Sequence, residues 1–98
     1  MRLKVEEKNK IVYYAKEFFG KDIKLYLFGS RVDDNKKGGD IDLFLESKEN
    51  IDMRTQVNFL AAIYKEITQR KIDLLIKTPS SEDLSIYKTA KKEGVLLC

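Results

Sequence analysis

Three aspartates carry the sharpest chemical signal in the chain. Asp40 and Asp42 stand two residues apart in Asp40-Ile41-Asp42-Leu43, and Asp73 follows in Lys71-Ile72-Asp73-Leu74-Leu75. On an extended strand a spacing of two puts Asp40 and Asp42 on one face, with Ile41 and Leu43 turned to the other. Like charges this close repel, a cost that a divalent cation relieves, and hard carboxylate oxygens suit Mg²⁺ or Mn²⁺. The pair alone also fits a polar strand start on a wet face. Asp73 adds weight because it interrupts an otherwise apolar segment, where an unpaired carboxylate is costly. If its strand lies beside that of Asp42, three carboxylates converge. Such a set can hold two metals about 3.5–4 Å apart, the arrangement used for in-line phosphoryl chemistry. Otherwise Asp73 is a solvated residue on an edge strand. Gly29-Ser30 is the fourth feature: glycine allows a tight turn and the close approach of a phosphate, and the serine hydroxyl with nearby N–H groups can donate to it. Arg31 and Lys37 are further phosphate contacts or plain surface charge.

The surrounding elements alternate. Residues 5–19 place Ile11, Tyr14, Ala15, Phe18 and Phe19 at helical spacing, and Gly20 can take a left-handed cap. Ile23 to Phe28 reads as a strand covered on both faces, ended by Gly29-Ser30. The polar segment 31–39 with its two glycines is a loop, and Asp40 to Leu45 is a second strand. Asp52 can cap a helix whose apolar positions are Met53, Val57, Leu60, Ala61, Tyr64 and Ile67 and which runs to about Thr68. Ile72 to Ile76 is a third strand, broken by Thr78-Pro79-Ser80. A last helix is expected over 82–93, capped by Ser80 with Asp83 completing a capping box and stopped by Gly94. Val95-Leu96-Leu97 fits an edge strand or a packed tail. The expectation is an α/β (α+β) domain: a small mixed sheet of three to four strands with helices on one side. The first two strands are expected to be antiparallel neighbours, and the second and third to be parallel strands joined by a helix.

Composition narrows the chemistry further. The 98 residues fit a single domain, 1–98. There is no His, and Cys98 is the one cysteine, so His-based triads, zinc sites built on His or several Cys, and internal disulfides are excluded. What remains is carboxylates, hydroxyls, Lys and Arg. No apolar run reaches the ~18–20 residues of a membrane span and no secretory signal opens the chain, so a cytoplasmic protein with no membrane partner is expected. The net charge of +3 is ordinary for solubility, and no Lys/Arg stripe with interleaved aromatics points to nucleic acid.

Leu27-Phe28-Gly29-Ser30-Arg31, followed after the nine residues Arg31 to Gly39 by Asp40-Ile41-Asp42-Leu43, resembles the motif of the DNA polymerase beta-like nucleotidyltransferase superfamily. More narrowly, the chain resembles the minimal nucleotidyltransferases, many of them antitoxins paired with HEPN-domain toxins. The later strand aspartate and the ending Lys92-Glu93-Gly94-Val95-Leu96-Leu97 occur in the same order, so the likeness covers essentially the whole chain.

The resemblance implies a set of roles. Asp40 and Asp42 become ligands of two Mg²⁺ ions that hold ATP. Asp73 joins the catalytic metal and helps activate the acceptor hydroxyl. Gly29 and Ser30 grip the β- and γ-phosphates, with Arg31 beside them. The implied activity is transfer of AMP from ATP to a hydroxyl, a tyrosine in related antitoxins, of a HEPN-type toxin. The alternative is an antitoxin that silences its toxin by complex formation without transfer. No second domain is at hand to choose a base, a tRNA or an antibiotic, so the acceptor is brought by a partner or by a homo-oligomer. The last helix, the 95–98 tail and exposed tyrosines among Tyr13, Tyr14, Tyr26, Tyr64 and Tyr87 are the candidate partner surface.

Overall fold

The structure, a computed structural model, describes residues 4–28, 41–67, 71–82 and 84–98. The Gly29-Ser30-Arg31 motif and Asp40 lie outside the described residues. Three helices and four strands follow in the order α1 (Val5–Phe19), β1 (Lys24–Phe28), β2 (Ile41–Glu46), α2 (Met53–Glu66), β3 (Ile72–Lys77), α3 (Ser85–Glu93) and β4 (Val95–Leu96). The sheet order is β3-β2-β1-β4. β1 is antiparallel to both β2 and β4, and β2 is parallel to β3. The β2–α2–β3 unit is therefore a helical connection between parallel strands, as the sequence spacing predicts.

Alternation along the strands divides the core in two. Leu25 and Leu27 of β1, Ile41, Leu43 and Leu45 of β2, and Ile72 of β3 pack with Ile11, Ala15 and Phe19 of α1 and Phe59 and Ile63 of α2. Phe19 and Phe59 join the two helices, with ring centroids 4.9 Å apart. The other face carries Tyr26 and Phe44, which pack with Tyr87 and Ala90 of α3. Their rings form a stack, Tyr26 to Phe44 and Phe44 to Tyr87, each at 5.7 Å. The helices are thus not all on one side. α3 covers the second face, because Tyr26 and Phe44 are large apolar residues at the very strand positions that point away from α1 and α2.

Two further expectations change. On α2, Met53 and Val57 are 69% and 54% exposed, whereas Phe59 and Ile63 are fully buried. Leu60, Tyr64 and Ile67 of the expected stripe do pack against the core, but the deepest positions are Phe59 and Ile63, because α2 turns Phe59 to the rings of α1. The last helix starts later than expected. Its N-cap is Leu84, with no side-chain cap bond, because Ser80 is engaged elsewhere. The Ser80 hydroxyl donates to Asn50 Oδ1 at 2.9 Å, and Ser81 Oγ accepts from the Thr78 N–H at 3.0 Å. Asp83, the other half of the expected capping box, lies outside the described residues.

The caps of α1 and α2 follow the sequence. The Lys4 N–H donates to Glu7 Oε1 at 3.1 Å, and Gly20 takes φ +99° after α1, a conformation glycine tolerates best. The Asp52 carboxylate accepts from the Thr55 N–H at 2.8 Å. Gly94 ends α3 and leads straight into β4. A Cβ there would collide with the Ala90 carbonyl and lie 3.1 Å from Leu27 O and 3.2 Å from Tyr26 Cβ. The C-terminal residues are tied to β1 by Leu97 N–H to Leu25 O at 2.7 Å and Leu25 N–H to Cys98 O at 3.1 Å. At the opposite edge, Tyr64 from α2 and Tyr87 from α3 both reach β3. The Tyr64 hydroxyl accepts from the Ile72 N–H at 2.8 Å, and the Tyr87 hydroxyl donates to Ile76 O at 3.4 Å.

Candidate active site

The parallel register pairs Asp42 directly with Asp73, and the antiparallel register pairs Asp42 with Phe28. Neighbouring strands lie about 4.7–4.9 Å apart, so two carboxylates stand side by side on one sheet face. This is the face of Phe44 and α3. The flanking residues explain why the positions are fixed. Ile41, Leu43 and Ile72 are buried on the reverse face, so a slip of one residue in either strand would bury a carboxylate and expose the core. The Ile41 N–H to Lys71 O bond at 2.8 Å sets the start of the β2–β3 pairing.

Asp42 is half-buried, while the Asp73 side chain is 48% exposed on the edge strand β3. Lys71 Nζ lies 3.5 Å from Asp73 Oδ1, placing a cation beside that carboxylate. Lys71 escaped notice in the sequence, although its spacing of two from Asp73 puts it on the same strand face. The structure therefore brings together Asp42 and Asp73 of the expected set. Asp40, Gly29, Ser30 and Arg31 lie outside the described residues, and among the described residues no group of three or more carboxylates assembles. Two adjacent hard-oxygen donors at the rim of a sheet fit a divalent cation.

Next to the pair is a depression of about 240 Å³ lined by Phe28, Asp73, Leu74, Leu75 and Ile86. A larger cavity, about 300 Å³, lies at the other end of the strands among Asp22, Lys24, Glu46, Ser47, Lys48, Lys77, Thr78 and Pro79. Asp42 and Glu46 are four strand positions apart, about 13 Å, so this cavity does not open on the carboxylate pair. Its three lysines, Lys24, Lys48 and Lys77, outnumber Asp22 and Glu46, and Glu46 is itself 3.5 Å from Lys91 Nζ. Size alone therefore does not locate the chemistry.

The profile of the family described as "Polymerase beta, Nucleotidyltransferase" matches residues 9–98. The chain belongs to this nucleotidyltransferase family. In three dimensions it is similar to a chain of a solved structure described as tri-AMPylated Shewanella oneidensis HEPN toxin in complex with MNT antitoxin. The TM-score is 0.72 and the identity 19%, over 95% of this chain and 70% of that one. At that identity the likeness is one of fold. No curated protein is significantly similar to the chain in sequence. Among the described residues of this nucleotidyltransferase, no helix is long and apolar enough to cross a membrane.

Proposed function

We propose that this chain is a metal-dependent adenylyltransferase that moves AMP from ATP to a hydroxyl of a partner protein and acts as the antitoxin of a HEPN-type toxin. The observation that carries the reading is the register of Asp42 with Asp73 on a nucleotidyltransferase sheet. The nature of the partner draws on the similar solved complex, in which the toxin is tri-AMPylated.

Asp42 and Asp73, with Asp40 one residue before Ile41 in sequence, would hold Mg²⁺. Bound there, the cations supply charge neutralisation for the triphosphate and the attacking oxygen. Gly29 and Ser30, with Arg31 beside them, would hold the β- and γ-phosphates at the end of β1. Asp73, on the edge strand β3, would join the catalytic metal and help activate the incoming hydroxyl. The acceptor oxygen forms a bond to the α-phosphorus, the α–β phosphoanhydride bond breaks, and pyrophosphate departs on the opposite side. The sheet contributes orientation, since both carboxylates are fixed by core packing on its reverse face.

Silencing by complex formation alone is the second reading. It is favoured by the apolar residues left exposed on two helices, Met53 and Val57 on α2 and Ile86 on α3. Asp42→Asn separates the two. Under the transfer reading, the variant keeps its fold and its complex with the toxin but loses AMP transfer, by at least ~10²-fold, and loses neutralisation. Neutralisation that survives the substitution would leave complex formation as the mechanism. Mass spectrometry of the toxin, run beside a growth-rescue assay, reads both.

A further inference from the structure

The cavity of about 300 Å³ at the far end of the strands has no part in nucleotidyl transfer as described above. The segments that meet there, 19–24, 46–50 and 77–81, all lie within the described residues. Strand register sets its charge. Lys24 of β1 pairs with Glu46 of β2, and Glu46 pairs with Lys77 of β3, so the three residues form one row on the α3 face. Lys48 joins them from the segment after β2. Glu46 is already engaged, because Lys91 of α3 lies 3.5 Å from its carboxylate. Among the described residues that line the cavity, Lys24, Lys48 and Lys77 are then opposed by Asp22 alone. The walls are braced as well. Ser47 Oγ donates to Glu49 O at 2.8 Å and accepts from the Glu49 N–H at 3.1 Å, which fixes the segment around Lys48. The Ser80 hydroxyl bond to Asn50 ties the segment after β3 to the one after β2. Lys77 Nζ sits 5.9 Å from the centroid of the Tyr87 ring, which draws its stem toward α3. Little ordering is left for a ligand to impose.

We propose that this cavity binds a small diphosphate-type anion, with Lys24, Lys48 and Lys77 as its cationic contacts. Lys24 and Lys77 stand on either side of β2, two strand spacings or about 9–10 Å apart, so their charges flank an anion that carries more than one charged group. A phosphoryl group offers three acceptor oxygens in different directions, which suits ammonium groups arriving from three segments, whereas the two oxygens of a carboxylate lie in one plane. The volume is at the lower end of the ~300–1,000 Å³ typical of ligand pockets, which favours a small ligand. The site lies about 13 Å from the carboxylate pair and does not rest on the transfer reading.

The test is an NMR titration of the amide-labelled full chain with inorganic pyrophosphate. EDTA is present, so that no divalent cation draws the anion to Asp42 and Asp73. Parallel titrations use succinate, and sodium chloride at matched ionic strength. The expected result is saturable shifts at Ser47, Lys48 and Thr78 with pyrophosphate, binding at least about tenfold weaker with succinate, and no shift with chloride. Lys24→Gln/Lys77→Gln should weaken pyrophosphate binding about tenfold. Lys8→Gln/Lys10→Gln, which removes the same charge from α1, should leave it unchanged. Lys48→Gln, outside the strands, gives a second reading should the first pair disturb the sheet, and is expected to weaken binding in the same direction. Chloride reproducing the shifts, or equal losses in the two double variants, would reduce the cavity to general surface charge and overturn the proposal. Succinate binding as tightly as pyrophosphate would overturn the choice of phosphate, and no shift at millimolar pyrophosphate would overturn the site itself.

Discussion

At the residue scale, carboxylates in this chain do three kinds of work, and their neighbours decide which. Asp42 and Asp73 are held side by side by strand register, and Lys71 stands at 3.5 Å from the more exposed of the two. Glu46, on the same face as Asp42 but at the far end of β2, meets Lys91 across the fold. Asp52 is a helix cap, and hydrogen bonds from Thr55, through its side chain first and its backbone second, hold the Asp52 carboxyl below the usual value of 3.8. A carboxyl whose pKa is depressed by folding adds stability above its unfolded value, and that stability is lost as the pH falls through the folded value. The contribution of Asp52 is therefore fully present at neutral pH and disappears below about pH 4. Asp52→Ala should lower Tm at pH 7, Asp52→Asn should recover much of the difference, and the gap between wild type and Asp52→Ala should close in acid. A gap that stays constant from pH 7 to pH 3 would remove the ionised cap from the account.

At the scale of elements, the turn from α3 into β4 is the most constrained junction. Gly94 lies against Ala90 O, Leu27 O and Tyr26 Cβ, all of them groups that cannot swing aside as a long side chain could. Gly94→Ala should destabilise the protein by about 1–3 kcal/mol, measured by urea unfolding, with β4 pairing weakened first in hydrogen exchange. Much of this layer was legible beforehand. The 15 residues of α1 follow from its apolar spacing and Gly20, and Gly94 reads as a stop because the helix pattern ends on it. The buried face of α2 was legible in part. Leu60, Tyr64 and Ile67 pack against the core as their spacing suggests, but Met53 and Val57 stay exposed, and the fully buried Phe59 and Ile63 lie off the expected stripe, Phe59 meeting the rings of α1. The start of α3 was missed for a similar reason, since the Ser80 hydroxyl is taken by Asn50, 30 residues earlier in the chain. Of the site, Asp42 and Asp73 could be paired from sequence because period-two alternation fixes their face. That Phe28, Leu75 and Ile86 line a depression with Asp73 was not legible, because nothing in local spacing shows which apolar residues will border a carboxylate.

At the scale of the whole molecule, the sheet has two unequal edges. One is short, the two residues of β4, and the C-terminal residues continue its bonding to β1 through Leu97 and Cys98. The other is β3, six residues long and the strand that carries Asp73. It must stay open if an acceptor is to approach, yet an open strand edge invites copies of itself. Tyr64 and Tyr87, arriving from opposite faces of the sheet, occupy the Ile72 N–H near one end of β3 and the Ile76 C=O near the other. Among the described residues, the stretch of edge left between them is too short to template a growing ribbon. The two phenols thus cap both ends of the edge strand that carries Asp73. Replacing both with phenylalanine preserves the rings and removes the plugs. Light scattering of concentrated Tyr64→Phe/Tyr87→Phe protein should show concentration-dependent self-association while the wild type stays monodisperse, and a double variant as monodisperse as the wild type would mean that the edge is guarded by its charges, Lys71, Asp73 and Lys77, instead.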